Sequence, residues 1–230
     1  MAIGIGNACS GESGALSGNE PGNQRKLKKV LEGIEDFNLN DEVRINAWVD
    51  LGSDNQVNKR PLKWVFRFIK PEHREAIARA MIAACQNPYV GYDQYKRDTY
   101  RSKMGLYGYS IDGLSKVNVP CDCDCSSLVS LCFFCATGKD IGSLRTYNLA
   151  DGIRKTGLCT EITSFSSATR QTGLGLEIGD ICIWRNNSSG HTAIVVSTNY
   201  TAETSYNQDN IPWISGITNI VATDEERIYG

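Results

Sequence analysis

The chain has 230 residues, 41% of them apolar and 22% charged, with 24 basic against 26 acidic side chains and a net charge of -2. That length and balance suit a globular chain with a real core and exclude a disordered one. They also exclude a dedicated nucleic-acid binder, which carries a basic face. No apolar run approaches the roughly 18 residues that a membrane helix needs, so no membrane insertion is expected. The start lacks the basic residues and apolar stretch of a signal peptide, so the chain is expected to be made in the cytoplasm. Nine cysteines cannot all pair within one chain, and reduced thiols are the expectation for that compartment.

Residues 1–24 are rich in Gly, Ser and Asn and read as turns, with a short strand around Ile3 and Ile5. Arg25, Lys26, Lys28 and Lys29 fit a solvated helix over 25–34. Residues 42–49 and 62–69 alternate as strands, with Trp48, Trp64, Phe66 and Phe68 as anchors. Pro71 suits a first helical position, and Ile77, Met81, Ala84 and Cys85 form one core-facing stripe up to Asn87-Pro88. His73, in the polar first turn of that helix, reads as exposed.

The stretch 89–116 is polar and Tyr-rich and reads as a long loop with some helix. A second helix is predicted over 125–136, capped by Asp124. Leu128, Val129, Leu131, Cys132, Phe133 and Phe134 make it apolar nearly all round, which places it in the middle of the domain. A further helix is expected over 144–155. Strands follow at 180–185, 191–198, 200–206 and 213–221, with a turn at Thr198-Asn199. Helices first and strands later predict an α+β fold.

Chemistry concentrates in Cys121-Asp122-Cys123-Asp124-Cys125-Ser126-Ser127, followed by Cys132 and Cys135. One reading is a metal-binding interaction module built on the thiols. Zinc sites, however, use two C-x-x-C pairs on turns, whereas Cys132 and Cys135 fall in the most apolar stretch. The other reading is a catalytic thiol. Cys125 opens the apolar helix, where the positive end of the dipole is expected to lower its pKa. Of the two histidines, His191 opens an apolar strand after the turn-rich Asn186-Asn187-Ser188-Ser189-Gly190, well placed to face a cleft. A Cys and a His distant in sequence but close in space form a nucleophile–base pair.

Asp124-Cys125-Ser126-Ser127-Leu128-Val129, with Gly179-Asp180-Ile181 and Gly190-His191-Thr192-Ala193-Ile194-Val195, resembles the NlpC family of bacterial cell-wall cysteine peptidases. With Gly91-Tyr92-Asp93-Gln94 and the Gly-rich start, the pattern is similar to a set of phage lysins and prophage-encoded wall hydrolases. The likeness covers about residues 71–206 well and the first 70 weakly. Ser127 stands where the family commonly has Gly.

The resemblance implies a papain-like α+β domain over 71–230, its central Cys-bearing helix packed on an antiparallel sheet, with 1–70 as an extension of the same domain. It implies Cys125 as nucleophile, His191 as base and a third polar group on the next strand. Glu203, twelve residues beyond His191, is the candidate there, and Asn199 the alternative. Tyr92, or else Tyr89, would lie across the nucleophile and help hold an oxyanion. Asp124 would hold a stem-peptide amine or serve only as a cap, and Ser126 would join it in the substrate site. The implied activity is cleavage of a peptidoglycan stem-peptide amide without a cofactor or metal, after release from the cytoplasm to the wall. The alternatives are an N-acetylmuramoyl-L-alanine amidase of the CHAP type, or a non-enzymatic metal-binding or virion structural module.

Overall fold

A computed structural model of the chain describes residues 2–8, 42–48 and 60–200. Six antiparallel strands form the main sheet: β1 (Ala2–Ala8), β2 (Val43–Ala47), β3 (Leu62–Phe68), β6 (Cys159–Ile162), β7 (Ile181–Arg185) and β8 (Gly190–Tyr200), in the order β2-β1-β8-β7-β3-β6. A two-stranded parallel ribbon joins β4 (Val90–Tyr92) to β5 (Cys121–Cys123). The helices are α1 (Pro71–Cys85), α2 (Thr99–Met104), α3 (Ile111–Lys116), α4 (Cys125–Thr137), α5 (Thr146–Thr156) and α6 (Ser167–Thr172). The fold is α+β, as the order of the elements predicts.

Alternation along the strands sorts two cores. Ile181, Ile183, Ile194 and Val196 face α1 and α4, burying Met81, Leu128 and Phe133 against the sheet. Ile3, Ile5, Val65, Cys182, Trp184, Ala193 and Val195 form a second cluster with Trp48. Every residue of α4 from Cys125 to Phe133 is buried, so this helix sits centrally, as its all-round apolarity requires.

The backbone differs from the sequence expectations in identifiable places. No turn interrupts β8 at Thr198-Asn199, because β1 supplies partners along that length: Ile5 pairs with Val195, Gly4 with Ser197 and Ala2 with Tyr200. The stretch read as a long loop with some helix holds α2 and α3, as expected, and also the unexpected strand β4. His73 is half-buried, its ring edge-on to Phe68 at 5.7 Å, rather than exposed. The helix expected at 25–34 and the strands expected at 200–206 and 213–221 lie at least mostly outside the described residues.

A salt bridge fixes the entry to β7. Buried Asp180 takes a bidentate pair from Arg67 on β3, Nε to Oδ1 at 2.8 Å and Nη2 to Oδ2 at 2.7 Å. Gly179 precedes it with φ +86°, and a Cβ there would lie 2.3 Å from the Arg74 carbonyl oxygen. Backbone cannot yield cheaply, so Gly179→Ala is expected to cost about 2 kcal/mol or more in urea denaturation; a change within about 0.5 kcal/mol would contradict this packing.

Candidate active site

The start of α4 is held by a capping box. The Asp124 carboxylate accepts from the Ser127 backbone N–H at 2.7 Å, and the Ser127 hydroxyl accepts from the Asp124 N–H at 2.9 Å. Behind the cap lies Arg97, which the sequence reading missed. Its Nε sits 2.6 Å from Asp124 Oδ2, and its Nη2 donates to Asp124 Oδ1 at 3.0 Å, Ser126 Oγ at 3.1 Å and the Leu144 carbonyl at 2.6 Å. Ser126 Oγ donates to Asp124 Oδ1 at 3.0 Å. Both carboxylate oxygens are therefore engaged within the protein. The geometry makes Asp124 the helix cap with Ser126 tied to it, and both residues also line the cavity beside Cys125.

The ribbon explains the cysteine-rich motif. Parallel pairing sets Val90 beside Cys121, Gly91 beside Asp122 and Tyr92 beside Cys123. The Cys121 and Cys123 thiols are buried, near the Tyr89 and Gly91 carbonyls at 3.8 and 3.7 Å. They pack as small apolar groups and bring Tyr92 to the same cavity as Cys125. The eight described cysteines are free thiols, and no group of three or more His, Cys, Asp or Glu among the described residues is arranged to hold a metal.

Cys125 and His191 line one cavity of about 380 Å³. Tyr92, Gln94, Asp124, Ser126, Thr146 and Tyr147 share its wall. Tyr92, not Tyr89, faces this space, its hydroxyl oxygen accepting from Gln94 Nε2 at 2.9 Å. Thr146 Oγ1 lies 4.0 Å from Cys125 Sγ. His191 stands opposite Trp184 in the β7–β8 register, the ring centroids 5.9 Å apart. Its Nε2 is buried with no partner among the described residues. Asn199 cannot supply one: it is exposed and eight residues along the same strand, roughly 26 Å away at about 3.3 Å per residue. Glu203 lies outside the described residues.

The electrostatics correct one expectation. Burial pushes the Cys125 thiol up to about 12, reinforced by the Asp124 charge, despite its place at a helix start. The Thr192 backbone, Thr146 and Arg97 pull the other way but do not outweigh burial. Burial also lowers His191 to about 4, helped by the Arg60 charge. At neutral pH the pair rests as thiol and neutral imidazole, not as an ion pair.

Arg97 neutralises the one carboxylate at the head of α4. Arg97→Ala would leave Asp124 buried without its cation and is expected to cost about 3–5 kcal/mol in chemical denaturation. Arg97→Lys, lacking the planar fork, should restore only part of that. A loss below about 1 kcal/mol for the alanine variant would show that the pair does not hold the helix start.

No curated protein and no solved structure matches the chain. A family model described as an endolysin-like domain matches residues 5–202, a span that contains the capped helix, the ribbon and both strands of the His191 hairpin. The chain belongs to the endolysin-like domain family.

Proposed function

We propose that this protein is a cysteine hydrolase of peptidoglycan, with a papain-like site of the NlpC type, cutting an amide bond of the stem peptide. One observation carries the reading: a thiol on the first turn of a capped central helix and an imidazole opening the facing strand share a single cavity. The endolysin-like family supports peptidoglycan as the substrate.

In this mechanism the resting thiol passes its proton to His191 as Cys125 attacks the amide carbon. The Thr192 backbone, Thr146 and Arg97, which favour the thiolate, ease that transfer. The Cys125 backbone N–H and the Tyr92 hydroxyl are the donors assigned to the oxyanion. His191 then gives its proton to the leaving amine and activates the water that releases the acyl group. Its buried Nε2 calls for an acceptor, and β8 has no turn at Thr198-Asn199 of the kind that would carry Glu203 back toward it.

Clearing of Gram-positive sacculi tests the reading. Cys125→Ala is expected to reduce the rate by at least about 10³-fold and His191→Ala by about 10²–10⁴-fold. Undiminished clearing by either variant would remove the mechanism. Because the imidazole must be neutral to accept a proton, activity should persist into acid and fall as pH drops through about 4. An acid limb near the ordinary histidine value of about 6.5 would contradict the buried-base account. Burial of the thiol also predicts slower iodoacetamide labelling of Cys125 at pH 8 than of a free cysteine.

A further inference from the structure

The wall around Cys125 is cationic in a chain whose net charge is -2. Among the described residues three arginines line the cavity, Arg60, Arg145 and Arg185, against one acidic residue, Asp124. Both Asp124 oxygens are already taken by Arg97 and the helix cap. Among the described residues, therefore, the cavity lining leaves no carboxylate oxygen free to face this wall.

Two of these arginines bracket the reacting pair. Arg145 immediately precedes α5 and Thr146, whose hydroxyl lies 4.0 Å from the Cys125 sulfur. Arg185 ends β7 and pairs in register with Gly190, next to His191. Neither forms an ion pair with a carboxylate among the described residues. The Arg185 guanidinium lies over the Tyr147 ring, 5.8 Å from its centroid, which directs it along the cavity wall. A guanidinium presents a planar fork of donors that matches a carboxylate. A neutral amide would leave two such forks at the wall of one cavity without an anion between them.

We propose that Arg145 and Arg185 form a carboxylate subsite, so that the protein selects a peptide carrying a free carboxylate beside the scissile amide. The inference rests on the peptidoglycan reading and sharpens it. The stem peptide offers such a group in the α-carboxylate of its γ-linked D-glutamate, and amidation of that group removes the charge. Arg145 and Arg185 are then specificity-determining residues, and they take no part in the proton transfers.

The test uses two synthetic peptides, L-Ala-γ-D-Glu-L-Lys with the glutamate α-carboxyl free or amidated, and two sacculus preparations that differ in the same way. Binding to the full-length Cys125→Ala protein is measured by calorimetry, and digestion of the sacculi by the wild type is followed in parallel. The free-carboxylate peptide is expected to bind at least about ten-fold tighter, the gap shrinking with added salt. The wild type should show the same preference in KM. Arg145→Gln, at an exposed position, should narrow the preference, and Arg145→Gln/Arg185→Gln should abolish it. Equal binding of the two peptides, or a preference that survives in the double variant, overturns the subsite. Digestion of both sacculi without preference overturns the subsite and leaves the hydrolase standing. Selective binding without digestion of either preparation keeps the subsite and removes the hydrolase reading.

Discussion

The site depends on one buried ion pair, Arg97 against Asp124. It neutralises a carboxylate that would otherwise sit unpaired at the head of the most buried helix. With that charge compensated, Asp124 can cap α4, and Cys125 stands at a defined first-turn position facing β8. The same arginine reaches the Leu144 carbonyl, just before α5 brings Thr146 toward the sulfur. One side chain thus ties three segments of the cavity wall together. A buried pair of this kind is weak evidence for net stability, because desolvation offsets the attraction. Its role here is positional.

Burial sets the chemistry as much as position does. A thiol at a helix start is ordinarily expected to be acidic, yet Cys125 is enclosed by the sheet, the ribbon and the Asp124 charge, and its proton is held tightly. His191 is enclosed as well and stays neutral. A site of this kind does not store a reactive thiolate. In the proposed mechanism one forms only when a substrate amide occupies the cavity and His191 accepts the proton, and the resting thiol is the less oxidisable form. Slow alkylation of Cys125 is therefore compatible with a working enzyme.

Local pattern made the central elements legible in the sequence. The Asp124 cap, the all-round apolar helix after it and the start of the strand after Gly190 each carry their signal within a dozen residues, and the structure places all three as read. What depends on distant pairing was not legible. Nothing near Thr198-Asn199 reveals that β1, from the opposite end of the chain, pairs along β8 and keeps it extended. Arg97 lies in a polar, Tyr-rich stretch without periodicity, and only the fold brings it against Asp124. The raised thiol pKa was missed for a related reason: the dipole can be read from a helix start, whereas the enclosure that outweighs it is a tertiary property.

Mass spectrometry of the fragments released from purified sacculi, with Cys125→Ala run beside the wild type, tests the central claim most directly. The account predicts new amine and carboxyl ends at a stem-peptide amide, made by the wild type alone. Identical fragment patterns from the two proteins, or no new ends from sacculi of several cross-link chemistries, would contradict it.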